Sequence, residues 1–205
     1  MTQAVHPKLI RWARDFQFTG ETLRDVPAFL EHHGFPHVAT HLKAMALEAR
    51  NLAERFGLDA NAAELAGILH DIAVIVPNTE RVALSRALDL PVLQEEEQVP
   101  MILHQQHGKV FARDLFGVQD ERILNAIECH TTLKANSSQL DRLVFLADKI
   151  SWDQPGIPPY LNDLLAALEH GLDAGTQFFL EHLISSLNLL VIHPWLRDAH
   201  AEFHA

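Results

Sequence analysis

From Leu9 to Ile192 the apolar residues recur at the three- and four-residue spacing of a helix face, and no segment alternates as a half-buried strand would. That periodicity confines the chain to an all-α fold and leaves helices to meet only helices. Prolines and glycines divide it into segments. A short helix is expected over Leu9 to Phe16, and a second over Asp25 to His33, with Pro27 early and Gly34 as its stop. Pro36 opens a long helix carrying His41, Met45, Leu52 and Phe56, closed by Gly57. Asn61 and Glu64 read as a capping box for the helix that ends near His70-Asp71. After Pro77-Asn78 a helix covers Arg81 to Leu88, and Glu95-Glu96-Glu97 reads as an exposed helix face.

Pro100 starts the segment bearing His104, His107, Phe111 and Leu115, which Gly117 ends, and Asp120 starts the one that runs to His130. A polar loop, Thr131 to Ser138, precedes the apolar run around Asp148, and the Pro/Gly-rich stretch Asp153 to Pro159 follows it. Two further helices, Tyr160 to His170 and Asp173 to Ile192, complete the pattern. His193-Pro194 breaks the last of these, Trp195 anchors the C-terminal segment, and His200 and His204 fall in a frayed tail.

Fourteen histidines in 205 residues raise the expectation of metal binding. Six candidates fall on five helical segments: His41, His70 with Asp71, His104, His130 and Asp148. Neutral imidazole nitrogens and anionic carboxylate oxygens form a mixed donor set suited to Zn, Fe or Mn. Any one of them alone is an ordinary core or surface residue; the ordered set points to a site inside a helical bundle. Neighbours on a helix diverge by about 100°, so His70 and Asp71 reach one ion only from a helix end or tight corner, which the helix-ending stretch Val74 to Pro77 supplies. Cys129 beside His130 reads as a small buried residue rather than a thiol nucleophile.

The net charge of -11 excludes a general affinity for nucleic-acid backbones, and a phosphorylated substrate would need a cation to reverse the local field. The stretch Met1 to Phe16 lacks the apolar core of a secretion signal, and Leu183 to Leu196 is interrupted by Ser185, Ser186, Asn188 and His193, so no membrane span is expected. One cysteine precludes an internal disulfide framework and fits a reducing cytoplasm. Lys134, Lys149 and His107 are the candidates for contacting a substrate, with solvated side chains as the plain alternative. Trp152, Pro158, Pro159 and Tyr160 read equally well as an aromatic wall or as loop packing.

The order His41, His70-Asp71, His104, His130, Asp148, with the runs LAERFG, AELAGILHD, FGVQDERILNAIECHT and LVFLADKI, resembles the HD superfamily of metal-dependent phosphohydrolases. Within it the runs look like the bacterial YqeK-type branch, which hydrolyses diadenosine tetraphosphate symmetrically to two ADP. The resemblance implies an all-α, single-domain helical bundle of the HD-domain/phosphodiesterase-like type over residues 1–205. Its core would span 37–150, with N-terminal helices 6–34 and C-terminal helices 158–204 packed on it. It implies one or two divalent transition-metal ions, with Fe favoured over Mn, Zn, Ni or Mg. His41, His70, Asp71 and Asp148 would hold the primary ion; His104 and His130 would complete a second site bridged by Asp71, or would face the phosphates if only one ion binds. Asp71, His104 and His130 would be catalytic, with metal-activated water attacking phosphorus. The partner implied is a small nucleotide in the cytoplasm, with no nucleic acid or membrane, and a homodimer stays open. A mixed-valence di-iron oxygenase on the same cage, and a degenerate nucleotide-binding sensor, are the alternatives. The run departs from the branch at Val74, where a lysine is expected, in Lys149 to Gln154 after Asp148, and in Thr131 to Lys134 after His130.

Overall fold

The computed structural model describes residues 6–185 and 189–204. They form twelve α-helices and no strand. α1 is Ile10–Ala13, α2 Thr22–His32, α3 Pro36–Phe56, α4 Ala60–Leu69, α5 Asn78–Ala87 and α6 Gln94–Gln98. α7 is His104–Asp114, α8 Glu121–Cys129, α9 Gln139–Ile150, α10 Leu161–Leu168, α11 Leu172–Ser185 and α12 Pro194–Glu202.

α3 is the spine. Pro36 occupies its first turn, Gly57 closes it in the left-handed conformation at φ 69°, and Ala39, Leu42, Met45, Ala46, Ala49, Leu52 and Ala53 form one buried stripe. The small residues in that stripe let α4 lie close. A Cβ on Gly67 of α4 would sit 2.8 Å from the Met45 sulfur and 2.9 Å from the Ala46 Cα. A residue without a side chain is therefore required there. α4 also meets α8 and α9, α7 meets α8, and α9 carries α11, which carries α10 and α12. Phe29, Phe111 and Phe145 are among the fully buried side chains, each stabilising the fold by roughly 1.5–3 kcal/mol.

Six local expectations are corrected. The first helix stops at Ala13, because Arg14 is extended and Asp15 takes φ 65°, which turns Phe16 into ring contact with Phe18 and Phe29. α2 begins at Thr22 rather than Asp25, with Pro27 interior. The Asp25 carboxylate folds back instead, accepting from the Thr19 and Gly20 amides at 2.8 and 2.9 Å. The cap of α4 is Asp59, accepting from the Ala62 amide, while Asn61 and Glu64 both receive Arg50. Glu96 is not exposed: it is fully buried, accepts from the Leu93 amide and the Gln106 amide nitrogen, and lies 3.4 Å from His193 Nε2. The tail is a helix, α12, capped by His193 and held by buried Leu196 and Ala199, with Trp195 partly buried beside them. Of the helix expected to Ile192, α11 covers the part to Ser185; residues 186–188 lie outside the described residues, and 189–193 are not helical.

Candidate metal centre

Four histidines and two aspartates meet where the ends of α4 and α8 face the starts of α7 and the last turn of α9. His70 and His130 are the residues just past α4 and α8, and His104 is the first residue of α7. A 3-10 turn, Ile72–Ile75, follows Asp71, so the chain corners there and both members of the His-Asp pair face inward. Gly108 of α7 packs on this corner, where a Cβ would come within 3.0 Å of the His70 carbonyl.

His41 Nε2 and His70 Nε2 lie 3.5 and 3.4 Å from Asp148 Oδ1, and His70 Nε2 lies 3.7 Å from Asp71 Oδ2. His104 and His130 Nε2 lie 3.0 and 3.4 Å from Asp71 Oδ1 and 2.9 Å from each other. Asp71 thus belongs to two donor groups, one with His41 and His70, the other with His104 and His130. All six sequence-predicted ligands are brought together.

The ring tautomers say what this cluster fits. Nδ1 of His70, His104 and His130 lies 2.8, 2.5 and 2.8 Å from the carbonyls of Gly67, Met101 and Ile127. A carbonyl only accepts, so each Nδ1 carries a hydrogen, and each ring, when neutral, presents a bare Nε2 lone pair inward. Three such lone pairs and two carboxylates converge with no proton between them. His70 Nε2 and Asp71 Oδ1 are buried without a hydrogen-bond partner, a state costing about 1–3 kcal/mol per atom unless something binds there. A divalent cation reconciles the arrangement, and the nitrogen and oxygen donors suit a transition metal.

Without a cation, charge on the rings must balance the two carboxylates instead. Burial opposes charge on Asp71 and Asp148, yet the neighbouring histidines, and for Asp148 first Lys149, hold both carboxyls well below their ordinary range. Burial drives His130 down to about 4. For His70 burial acts in the same direction, but Asp71 and Asp148 outweigh it and raise the ring.

The centre opens into a cavity of about 240 Å³ walled by Met101, Thr131, Lys149, Trp152, Asp153 and Tyr160 beside the ligands. Met101, Thr131, Lys149, Trp152 and Tyr160 also wall a second chamber of about 420 Å³, finished by Val99, Ile102, Phe179, Leu183, Val191 and Leu196. Lys149 reaches the centre, its Nζ 2.5 Å from Asp148 Oδ2. Lys134 lines neither space; it lies within electrostatic reach of Cys129. His107 is turned away as well, fully buried with Nε2 2.8 Å from Ser85 Oγ. Burial, followed by the charges of Arg81 and His104, pushes it down to about 3. Cys129 is buried, which raises its thiol far above the range of a nucleophile. Trp152 and Tyr160 form the wall, their rings 6.1 Å apart, with the Tyr160 hydroxyl donating to the Lys149 carbonyl at 3.1 Å. Sequence reading missed the chamber's far side, formed by Phe179, Leu183, Leu189, Val191 and Leu196, because these residues look like any amphipathic helix and its connector.

Residues 38–153 match the model of the HD domain. An uncharacterised protein of Lactococcus lactis subsp. cremoris is 43% identical over 69% of this chain and 72% of its own length. A protein of Halalkalibacterium halodurans named symmetrical bis(5'-nucleosyl)-tetraphosphatase is 33% identical over 67% of this chain and 72% of its own. A Clostridium acetobutylicum crystal structure, titled as a predicted HD superfamily hydrolase involved in NAD metabolism, superposes with a TM-score of 0.80 over 88% of this chain and 96% of that one. At 23% identity it speaks for the shared fold.

Proposed function

This chain belongs to the HD-domain family and is a metal-dependent phosphohydrolase, and from that premise we propose that its substrate is a dinucleoside polyphosphate, cleaved symmetrically by water. The observation that carries the substrate reading is that the two spaces adjoin, with five wall residues in common. A polar centre able to hold a divalent ion shares five wall residues with an aromatic and aliphatic chamber of about 420 Å³. Phosphates belong in the first and a nucleoside in the second.

Asp71 bridges the two donor groups, with His41, His70 and Asp148 on one side and His104 and His130 on the other. When bound, the ion acidifies water and offsets phosphoryl charge. The protein's own contribution is geometric. The carbonyl bonds hold three imidazoles with bare nitrogens inward, and the corner at Asp71 keeps its carboxylate between them. Lys149 lies at the junction of both spaces, where its ammonium can leave Asp148 for a phosphate oxygen. Thr131, whose hydroxyl lies 3.2 Å from His104 Nε2, offers a second donor at the same edge. Trp152 and Tyr160 offer ring faces for a base. In the net reaction one water divides between the products: its oxygen joins one central phosphorus and the bridging oxygen leaves with the other.

The test is chromatography of diadenosine tetraphosphate incubated with protein loaded separately with Fe, Mn, Co, Ni and Mg. ADP as the sole nucleotide product is expected. Tight nucleotide binding without turnover under every ion would replace this reading with that of a sensor. Oxygen uptake without phosphoanhydride cleavage would replace it with that of an oxygenase.

A further inference from the structure

Arg81 lies outside the metal centre, is only 4% exposed, and among the described residues sends its hydrogen bonds to backbone. Nε donates to the Val76 carbonyl at 3.0 Å, Nη1 to the Met101 carbonyl at 2.7 Å and Nη2 to the Val74 carbonyl at 3.4 Å. A guanidinium taken out of water without a carboxylate against it is costly. The opposing charge it feels is that of Asp71, which works against the effect of its burial.

The three carbonyls are not arbitrary. Val74 and Val76 belong to the turn that leaves Asp71, and Met101 to the 3-10 turn Pro100–Leu103 that enters His104. The Met101 oxygen is also the acceptor for His104 Nδ1. The Met101 oxygen thus receives the guanidinium and the imidazole together, beside the His104 backbone N–H that closes the 3-10 turn. Comparison with the other rings shows why this one needs a brace. His70 and His130 bond to Gly67 and Ile127, which lie inside α4 and α8 and are fixed by those helices. His104 alone of the three leans on a carbonyl outside any α-helix.

We infer that Arg81 is a positioning residue: it clamps the Met101 carbonyl and thereby sets the ring of His104, and with it the half of the metal centre formed by Asp71, His104 and His130. The consequence for metal rests on the cage reading above; the ring orientation does not.

The experiment separates the two. In chelator-treated protein at pH 8, long-range proton–nitrogen NMR reads the imidazole tautomers of His104 and, as internal control, His130. Both are expected as Nδ1–H in the unsubstituted protein. Arg81→Met is expected to leave His130 unchanged and to give His104 a mixture of tautomers. Arg81→Lys keeps the charge and can reach one carbonyl, so it is expected to fold with an intermediate His104 signal, and it decides the matter if the Met variant does not fold. An unchanged His104 in the variant that folds, or equal change at both rings, overturns the inference. Manganese titration of the same proteins adds a second readout. The ion on the His104 side should weaken by roughly 10- to 100-fold, the range for loss of a group that orients a ligand, while the ion on the His41 side holds. Equal weakening of both overturns the inference. If the unsubstituted protein takes no ion, the cage reading falls and the tautomers still decide the role of Arg81.

Discussion

The metal cage and the apolar chamber beside it share five wall residues and are built by opposite means. The cage takes its side chains from α3, α9 and the ends of α4, α7 and α8, and three of its rings are each tied to a carbonyl. The chamber takes its walls largely from connections: residues 99–102, 131–132, 152–160 and 189–193, with Phe179 and Leu183 of α11 behind them. Lone pairs that must meet within a few tenths of an ångström need rigid supports, whereas an apolar surface works with looser ones. On the function proposed above, the half that would react is the stiff half, and the half that would select a substrate is set largely on connections.

The largest way to break that division is at the bridge. Asp71→Ala removes the one carboxylate common to both donor groups. Phosphohydrolase activity is expected to fall on the order of a thousandfold, the rate equivalent of several kcal/mol of charge stabilisation. Metal content, measured by elemental analysis, should fall with it. Activity that survives in metal-free protein would separate the cage from the chemistry altogether.

A second test concerns what lies behind the cage. His107 sits one turn from His104 and is held neutral, with a pKa near 3 against about 6.5 in an unfolded chain. Between those values the unfolded state binds the extra proton. The stability this group contributes is therefore complete above about pH 6.5 and is lost as pH falls toward 3, by up to about 1.4 kcal/mol per pH unit and a few kcal/mol in all. Urea unfolding of chelated protein should show that slope, and His107→Gln should flatten it by about one proton. A variant with the unsubstituted slope would mean that water reaches the ring. Removing the ion is the next smaller effect. At a metal concentration about a hundred times its Kd, chelation should cost about 2.7 kcal/mol of stability, seen as a lower Tm. Chamber variants should lose the same amount as the unsubstituted protein, since the ion does not touch their walls.

The two halves also differ in how far they can be read from sequence. The helical spacing and the proline and glycine stops placed α3 to the residue, at Pro36 and Gly57, while α2 and α11 departed from their expected bounds. The order of His41, His70-Asp71, His104, His130 and Asp148 pointed to the cluster that the fold brings together, because imidazoles and carboxylates are chemically distinctive residues. His107 misled, since sharing a helix face with His104 suggests a shared target, while the true partner, Ser85, comes from another helix. Glu96 misled for the same reason: a run of three glutamates reads as solvated, and only the fold supplies Gln106 and His193. Arg81 gave no sign at all, because its partners are backbone oxygens, which every residue has. The chamber could not be read because Val99, Phe179 and Val191 are ordinary apolar residues whose common purpose exists only in three dimensions.

The smallest expected effect is the one that tests the chamber directly. Trp152 is on the shared wall, 36% exposed, and touches Tyr160 by ring edge but no metal ligand by hydrogen bond. Stacking a base on an aromatic side chain is worth about 1–3 kcal/mol by alanine substitution. That contact exists equally in the bound substrate and at the transition state, so its loss should appear in KM rather than kcat. Trp152→Ala is expected to raise KM for diadenosine tetraphosphate about tenfold. Hydrolysis of inorganic tripolyphosphate, which has phosphates and no nucleoside, should stay as in the unsubstituted protein. If both substrates lose rate together, Trp152 supports the cage and the two halves are one unit. If neither changes, the nucleoside lies elsewhere, and the apolar chamber has no part in choosing the substrate.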